Sequence, residues 1–219
     1  MIKLLIHGTG SIGKLVYSEI LNDDRYEVVA FVCDDKWFSS NEFLGKPLYK
    51  ASEIEKYFPP KSIKVISTGL YSSLRERYNS YLEMKKKGYE FINYISKNAI
   101  VRPDIEIGEN NIIYPGAFLD FFGKLGNCNI IRPKAYIAHN FDIKNGIYIS
   151  PGCNIAGHSV IKDLSFIGIG SIILGKLCIE KENLIGAGAL VTKNTEPYST
   201  YIGFPARKIS EHKDTGVLL

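Results

Sequence analysis

The chain has 219 residues, 45% of them hydrophobic and 23% charged, and it carries a formal net charge of +4 at pH 7. These values are typical of a globular protein of one or two domains, and the scattered lysines and arginines give no support to nucleic-acid binding. The amino terminus resembles neither a signal peptide nor a membrane span. We therefore expect a cytoplasmic protein without a nucleic-acid or membrane partner.

The cysteines show no C-x-x-C spacing, which argues against a metal or redox motif. Cys153 falls at a small-residue position of the repeat described below, so it is expected to be a reduced core residue. We expect no metal cofactor. The four cysteines are Cys33, Cys128, Cys153 and Cys178.

The first third of the chain alternates between strand and helix patterns. Strands are predicted over residues 2–7, 26–33 and 63–67, and helices over 14–21 and 73–87. Alternation of this kind predicts a small parallel sheet in an α/β domain.

A G-x-G-x-x-G motif, formed by Gly8, Gly10 and Gly13, follows the first predicted strand. Asp34 ends the second strand about 20 residues later, where an acid can bind a ribose hydroxyl. The glycines could also make no more than a tight turn, but the strand, the helix and the acid together favour nucleotide binding. About three strands form half of a dinucleotide-binding fold, which suits one nucleoside diphosphate better than NAD. The pattern thus points to a nucleotide-linked sugar.

From Ile95 to Val191 every sixth residue is aliphatic, and the residue two before each is mostly small. A period of six predicts a hexapeptide β-helix, in which three hexads form one triangular coil. Residues eighteen apart then stack about 4.8 Å from one another. The corners need unusual backbone angles, which suit residues such as Asn110, Asn127, Asn145 and Asp163.

Counting in eighteens places His139, Gly157 and Gly175 in one corner column, so an imidazole stands at the end of a groove without side chains. Such a groove suits an extended ligand whose reactive end meets His139, although an exposed histidine without a role is the alternative. His158 lies at the neighbouring corner position and is interpreted as a wall residue. The pattern ends after Val191.

Three features together resemble a known family. They are the hexads, the segment 185–193 followed by Gly203-Phe204-Pro205-Ala206-Arg207, and the glycine-motif domain. Over nearly the whole chain they are similar to the bacterial sugar O- and N-acyltransferases, which include sialic acid O-acetyltransferases and nucleotide-aminosugar N-acetyltransferases. The resemblance implies a Rossmann-like nucleotide-sugar domain over 1–94 and a left-handed parallel β-helix over 95–209. The residues after the repeat, 210–219, are expected to form a loose tail. It also implies acetyl-CoA as co-substrate and a homotrimer.

The same resemblance implies roles for individual residues. His139 would be the catalytic base. As our own hypothesis of the mechanism, the backbone N–H of Gly157 receives the oxyanion. In many relatives an acid follows the histidine; here the neighbour is Asn140, and Asp142 is the alternative partner. The implied nucleotide-sugar contacts are Gly10, Ser11, Ile12, Asp34 and Gly69, to which we add Asp35 beside Asp34. Arg132 departs from the family pattern, in which a small polar pair is common; it is expected either to contact a sugar hydroxyl or diphosphate or to be a surface arginine. The implied acetyl-CoA contacts are Tyr148, Gly157, Ile169, Ala187 and Lys193, to which the groove count adds Gly175.

The function expected from this resemblance is acetyl-CoA-dependent N-acetylation of a dTDP-, UDP- or GDP-linked 4-amino-4,6-dideoxysugar, for O-antigen in lipopolysaccharide or another surface glycan. Two alternatives stay open: O-acetylation of a sugar such as sialic acid, and a non-catalytic protein that binds nucleotide-sugars. Asn140 mildly favours an amine acceptor, because a hydroxyl is the weaker nucleophile and depends more on the base.

Overall fold

The computed structural model describes residues 1–69 and 72–218. The chain divides into two compact units, one formed by Met1–Ser72 with Glu76–Ile92 and the other by Ser73–Arg75 with Asn93–Leu219. The division after Ile92 falls two residues before the predicted boundary. Among the residues described, neither helix combines the length and the apolar character that a membrane-spanning helix requires.

The amino-terminal unit is built on one six-stranded sheet with the strand order β3-β4-β2-β1-β5-β6. Neighbouring strands are parallel except for the β3–β4 hairpin. The strands are β1 (Ile2–His7), β2 (Tyr26–Cys33), β3 (Glu42–Phe43), β4 (Lys46–Lys50), β5 (Lys64–Ser67) and β6 (Glu90–Phe91). The helices are α1 (Ser11–Ile20), α2 (Leu74–Lys86) and two 3-10 helices, Asp35–Trp37 and Ile54–Lys56.

The prediction of about three strands is wrong, because five parallel strands are present. β4 was missed because its sequence carries a proline and two lysines, and only Leu48 in it is buried. The strand order bears on the nucleotide prediction. When only the parallel strands are numbered along the chain, the order β4-β2-β1-β5-β6 becomes 3-2-1-4-5. This is the order found in doubly wound nucleotide-binding folds. The strand count therefore no longer argues against a dinucleotide. Helix α1 also begins earlier than predicted, at Ser11.

Most of the second unit consists of two-residue strands that recur every six residues and stack as three parallel sheets. A longer antiparallel pair of strands near the carboxyl end extends the first of these sheets. The first sheet contains β7 (Tyr94–Ile95), β10 (Ile112–Ile113), β13 (Ile130–Ile131), β16 (Tyr148–Ile149), β19 (Phe166–Ile167), β22 (Leu184–Ile185), β24 (Ser199–Gly203) and β25 (Ala206–Glu211). The second contains β8 (Ile100–Val101), β11 (Phe118–Leu119), β14 (Tyr136–Ile137), β17 (Asn154–Ile155), β20 (Ile172–Ile173) and β23 (Leu190–Val191). The third contains β9 (Glu106–Ile107), β12 (Lys124–Leu125), β15 (Asp142–Ile143), β18 (Val160–Ile161) and β21 (Cys178–Ile179).

The aliphatic hexad residues form the core of this unit, as predicted. Those from Ile113 to Val191 are at most 2% exposed, and the three before them pack against the same cluster. Each buried aliphatic side chain contributes about 1.5–3 kcal/mol relative to exposure. Cys153 is fully buried among them, and burial raises the pKa of its thiol. Three parallel sheets around a solid aliphatic core fit the left-handed β-helix expected from the resemblance.

The prediction for the corner residues is wrong at three of four positions. Of the four named residues only Asn110 has a positive φ, and the left-handed position of the other coils is one residue later, at Cys128, Gly146 and Leu164. The predicted residues form a side-chain ladder instead: Asn127 donates its backbone N–H to Asn145 Oδ1, and Asn145 donates its own to Asp163 Oδ1, each over 2.8 Å. This ladder satisfies backbone donors at the corner that the strands leave unpaired.

The expected loose tail is ordered up to residue 218, and Leu219 lies outside the described residues. β25 pairs with β24 as far as Glu211. Beyond it the Arg75 guanidinium donates to the Lys213 and Asp214 carbonyls over 2.7 and 2.9 Å, while its Nε donates to Glu182 Oε2 over 2.6 Å. The side chain of Val217 is only 1% exposed. A long-range arginine contact, invisible in the local pattern, holds this segment.

Strand β20 offers a direct test of the core. We expect Ile173→Ala to lower the free energy of unfolding by about 2–5 kcal/mol, because the side chain is fully buried and its loss leaves a cavity. Its neighbour Ile172 faces outward and is 38% exposed, so Ile172→Ala is the matched control and should cost well under half as much. Denaturant unfolding measures both; equal losses would contradict the assigned register.

Candidate functional site

The corner column predicted by counting is present in the structure. β14, β17 and β20 are neighbours in one sheet, with Tyr136 opposite Asn154 and Asn154 opposite Ile172. At the corner that follows these strands, His158 N–H donates to the His139 carbonyl and Lys176 N–H donates to the Gly157 carbonyl, both over 3.0 Å. We call His139, Gly157 and Gly175 the His139 column. In the other direction the column continues to Phe121, whose carbonyl accepts from Asn140 N–H over 2.9 Å.

The two glycines leave the backbone of this column bare. A Cβ atom at Gly157 would lie 2.9 Å from both Cε1 and Nε2 of His139, and one at Gly175 would lie 3.0 Å from the Gly157 carbonyl oxygen. Neither glycine has a positive φ, so a side chain at either position would not strain the backbone. It would instead prevent other atoms from approaching the backbone closely. Among the described residues, the amide groups of His139, Gly157 and Gly175 donate no hydrogen bond. The column therefore presents free N–H donors beside an imidazole.

The imidazole of His139 is oriented by its neighbour. His139 is exposed, and its Nδ1 lies 2.8 Å from Asn140 Oδ1. Because a side-chain amide oxygen only accepts, Nδ1 carries the hydrogen and Nε2 is left as the lone-pair nitrogen. The Nε2 side is the one that a Gly157 Cβ would meet, so this nitrogen faces the bare backbone. His158 stands edge-on to the same ring, with the ring centroids 5.2 Å apart.

Asp142 is not the partner of this histidine. It lies on β15 in the next sheet, where the Lys144 ammonium donates to its Oδ2 over 2.7 Å. No hydrogen bond links it to His139 in the part of the chain that the structure describes. Among the described residues it is therefore Asn140, and not Asp142, whose side chain contacts the imidazole of His139.

The other residues implied for acetyl-CoA do not all lie at this corner. Ile169 and Ala187 are exposed and occupy the neighbouring corner column, where Gly188 N–H donates to the Ile169 carbonyl over 2.8 Å. Tyr148 is only 5% exposed and stacks on Phe166, with the ring centroids 5.2 Å apart. Its side chain is thus packed away within the chain, in contrast to the open corner residues.

Lys193 lies beyond the last coil, at a separate cavity of about 330 Å³. Arg207 and Lys208 line the same cavity, so three basic side chains converge there. Lys208 forms ion pairs with Glu196 and Glu211, which raise its pKa. The other two cations of this cavity, Lys193 and Arg207, form no ion pair among the described residues. This cluster has the charge needed to receive phosphate groups.

Arg132 lies in the corner between β13 and β14, not in the His139 column. Its guanidinium stacks over the Tyr114 ring at 4.1 Å from the centroid. Nε and Nη1 are buried and have no hydrogen-bond partner among the described residues. The buried donors agree with an anionic or hydroxyl-bearing ligand at this corner, and the predicted sugar contact stays a prediction.

The glycine motif in the amino-terminal unit separates into two packing glycines and one open glycine. Gly8 has φ of +118°, and a Cβ there would lie 2.3 Å from Thr68 Oγ1; one at Gly13 would lie 2.1 Å from the Gly8 carbonyl oxygen. A Cβ at Gly10 would meet nothing within 4 Å. A tight turn alone explains Gly8 and Gly13, whereas the open space at Gly10 is what a ligand needs for close approach to the backbone.

Helix α1 begins at this turn without a side-chain cap. Its first backbone N–H groups have no intrahelical acceptor, which makes the turn an anion-binding position. Ser11 is exposed in this first turn, whereas Ile12 is 3% exposed and packs in the core. Ile12 is therefore available to a ligand only through its backbone.

Asp34 lines the cavity of about 210 Å³ at the glycine turn, together with His7, Gly10 and Gly69. The hydrogen bond from His7 Nε2, which spans 3.2 Å, is the main cause that lowers the pKa of Asp34, and Ser80 and Lys36 add to it against the effect of burial. His7 is 2% exposed and has Ser67 Oγ 3.2 Å from its Nδ1. An ionised Asp34 is thus held ready to accept hydrogen bonds from a ligand.

Asp35 points elsewhere. Ser52 donates to it through both its hydroxyl, over 2.6 Å, and its backbone N–H, over 3.2 Å, and these bonds lower the pKa of Asp35. It lines a second cavity of about 500 Å³, which shares Asp34 with the first. The structure therefore separates two acids that the sequence places side by side.

Gly69, with φ of +52°, lies against Arg77. A Cβ atom added at Gly69 would be 2.8 Å from the backbone of Arg77.

Two residues at the first cavity were not predicted. Trp37 and Cys33 both line it, and they flank Asp34 along the chain. Burial raises the pKa of the Cys33 thiol to about 11, and the carboxylates of Asp34 and Asp35 add to the effect, so the thiol is protonated at neutral pH. Cys33 is the last residue of β2, and Trp37 follows Asp34 by three residues. Their place at the end of this strand, beside the predicted Asp34, was the signal that could have revealed them. The described residues contain no cluster of three or more potential metal-binding side chains.

The pKa of Asp34 provides a test of this cavity. We expect His7→Leu to raise the pKa of Asp34 toward the ordinary range of an aspartate, because the variant loses the donor that favours the carboxylate. In the wild type the pKa is lowered in the folded state, so the stabilisation is present above the unfolded value and is lost as the pH falls through the folded value. Carboxyl-carbon NMR titration measures both proteins. Ser80→Ala, which removes a weaker 3.4 Å bond, is the control and should shift the pKa less.

Comparison with known proteins supports the fold of the chain as a whole. The acetyltransferase domain of PglB from Neisseria gonorrhoeae matches with a TM-score of 0.85 at 22% identity, over 95% of this chain and 100% of that domain. Perosamine N-acetyltransferase (PerB) from Caulobacter crescentus matches with a TM-score of 0.84 at 20% identity, over 95% and 97% of the two chains. The chain has the fold of these bacterial acetyltransferases. WeeI from Acinetobacter baumannii matches with a TM-score of 0.78 at 22% identity, over 95% and 100% of the chains.

Ligands are present in two of these structures. PerB was solved in complex with CoA and GDP-perosamine, and the PglB domain with acetyl coenzyme A. At the sequence level, a family model described as C2185-like, N-terminal, matches residues 1–87. No curated protein sequence matches the chain significantly. The fold resemblance drawn from the hexads and the tail motif is confirmed.

Proposed function

We propose that this protein is an acyltransferase that moves the acetyl group of acetyl-CoA to the amino group of a nucleotide-linked 4-amino-4,6-dideoxysugar. The observation that carries the proposal is the His139 column: an oriented imidazole whose free nitrogen faces bare backbone and unpaired N–H groups. Acyl transfer needs a base and an oxyanion donor in this relation. The fold shared with PerB and PglB, which bind CoA or acetyl-CoA, supports the donor.

In the proposed reaction His139 Nε2 accepts a proton from the sugar amine as the amine nitrogen attacks the thioester carbonyl carbon. Asn140 Oδ1 holds the Nδ1 hydrogen throughout and keeps Nε2 aimed at the acceptor. The Gly157 N–H donates to the oxyanion of the tetrahedral intermediate. The carbon–nitrogen bond forms, the carbon–sulfur bond breaks, and the thiolate of coenzyme A takes up the proton from His139.

We further propose that the amino-terminal unit is a Rossmann-like domain that binds the nucleotide. The strand order, the ligand-accessible backbone at Gly10 and the ionised Asp34 support a diphosphate at the helix α1 terminus and a ribose on the acid. Ser11 lies in the first turn beside them. The case against NAD rests on the acyl-transfer column, since that chemistry transfers no hydride. We propose that the reaction takes place in the cytoplasm and that its product is used in the synthesis of O-antigen or another surface glycan.

An amine acceptor is favoured over a hydroxyl by the residue that orients His139. A carboxylate in place of the Asn140 amide would stabilise the imidazolium, whereas an amide only orients the ring. An amine needs less help from the base than a hydroxyl does, so Asn140 is adequate for N-acetylation. Sugar O-acetylation of the sialic acid type is the second candidate, supported by the same column and donor groove.

The test measures coenzyme A release from acetyl-CoA with UDP-, dTDP- and GDP-linked 4-amino-4,6-dideoxysugars and with sialic acid as acceptors. Acetylation of one amino sugar to a product stable to hydroxylamine is the expected result, because an amide survives where an ester is cleaved. Turnover with sialic acid alone would establish the O-acetyl alternative. Binding of a nucleotide-sugar without any release of coenzyme A would establish a non-catalytic binding protein. Sedimentation of the pure chain tests the proposed homotrimer.

A further inference from the structure

The cavity at the glycine turn has one aromatic wall. Its other sides are formed by the glycines Gly8, Gly10 and Gly69, by Thr9 and Cys33, and by the polar groups of His7 and Asp34. Trp37 is 54% exposed there, although tryptophan is on average a strongly buried residue. Apart from the imidazole of His7, Trp37 supplies the aromatic ring of this lining, and a large ring exposed at a cavity is a feature that a flat, aromatic ligand would satisfy.

The position of the indole is fixed by the chain that precedes it. Trp37 ends the 3-10 helix Asp35–Trp37, and its N–H donates to the Asp34 carbonyl over 2.8 Å. The Asp34 carboxylate is held in turn by His7. The ring and the acid are therefore anchored to the same short segment at the end of β2, so a ligand bound by the acid lies within reach of the ring.

We propose that Trp37 is the stacking platform for the base of the nucleoside diphosphate, an inference that rests on the nucleotide-sugar acceptor of the proposed function. With the diphosphate at the start of α1 and the ribose on Asp34, the base continues along the segment that carries Trp37. Stacking on an aromatic side chain is tolerant of base identity, because every base has a π face. The Lys36 ammonium lies 5.5 Å from the ring centroid on an exposed side chain, and a base stacks on the opposite face or displaces it.

Trp37 is the only tryptophan in the sequence, so its emission reports this cavity without interference. The experiment titrates the full-length protein with UDP, dTDP and GDP, and in parallel with ribose 5-phosphate and inorganic pyrophosphate. At least one nucleoside diphosphate is expected to change the indole emission saturably. The two compounds without a base are expected to leave it unchanged even at concentrations where calorimetry shows that they bind.

Calorimetry of the variants measures the contribution of the ring. Trp37→Ala is expected to weaken binding of the same nucleotide by about 5- to 150-fold, and Trp37→Phe by less than tenfold, since phenylalanine keeps a stacking face. Tyr57→Ala is the matched control: Tyr57 is also 54% exposed and belongs to the same unit, but it does not line the cavity. It should leave the nucleotide affinity unchanged.

The outcomes separate this inference from the function on which it rests. A nucleotide that binds with unchanged affinity in Trp37→Ala and leaves the wild-type emission constant would overturn the stacking role and leave the proposed acceptor standing. Absence of binding by all three nucleotides in the wild type would remove the nucleotide-linked acceptor itself. A shared loss in Trp37→Ala and Tyr57→Ala would mean that the ring supports the fold, which also overturns the proposal.

Discussion

Replacing His139 with alanine is expected to lower kcat by about 10²–10⁴-fold, the usual contribution of a positioned general base. The side chain is exposed, and its only side-chain hydrogen bond among the described residues goes to Asn140, so the melting temperature should not change. Acetyl-CoA should bind as before, because the groove backbone is untouched. Steady-state kinetics with the accepted sugar, together with calorimetry of the donor, measures the two effects separately. A variant that keeps wild-type turnover would remove His139 from the mechanism.

Asn140 gives this experiment its internal control. Since Asn140 acts by orienting His139, Asn140→Ala should reduce kcat less than His139→Ala, and the double variant should lose no more than His139→Ala alone. Additive losses would mean that Asn140 touches the substrate in its own right. Asn140→Asp places a carboxylate opposite Nδ1 and favours the imidazolium, so the acidic limb of its pH–rate profile should move to higher pH.

The β-helix could be predicted almost completely because its signal is a strict period of six over seventeen hexads, which no helix or ordinary strand produces. The same count placed His139 above Gly157, since parallel strands in register convert a spacing of eighteen into vertical stacking. The corner conformation was placed one residue early, at Asn127 and Asn145, because asparagine is favoured both in left-handed turns and in side-chain ladders. Composition alone does not separate these two uses.

The sequence could not reveal contacts between residues that lie far apart along the chain. Ser52 holds Asp35 from 17 residues away, and Arg75 holds the carboxyl-terminal segment from 138 residues away. β4 was missed because its proline and lysines hide a strand that lies between β3 and β2. Trp37 was missed because its position after β2 does not show which side chains there line the cavity. Each of these omissions concerns tertiary placement, whereas the β-helix and the His139 column follow from periodicity.

The second large effect on activity is expected when a side chain is added to the bare backbone of the groove. We expect Gly157→Ala to lower kcat/KM by about 10²-fold, because its Cβ would lie 2.9 Å from Nε2 of His139 and must displace the imidazole from its present position. The backbone at Gly157 does not have a positive φ, so the substitution adds no conformational strain there. Kinetics and a melting curve of the variant measure the loss of activity and the integrity of the fold.

Gly175→Ala is a second variant of the same groove, and its effect on kcat is expected to be smaller. Its Cβ would approach the Gly157 carbonyl oxygen at 3.0 Å and would fill the groove one strand further from His139, without touching the imidazole. If the groove holds the donor, the KM for acetyl-CoA should rise while kcat changes less than in Gly157→Ala. Equal kcat losses in both variants would mean that the second glycine serves the chemistry directly. An unchanged KM in Gly175→Ala would place the donor away from this column, because a methyl group in an occupied groove must compete with the ligand for the same space.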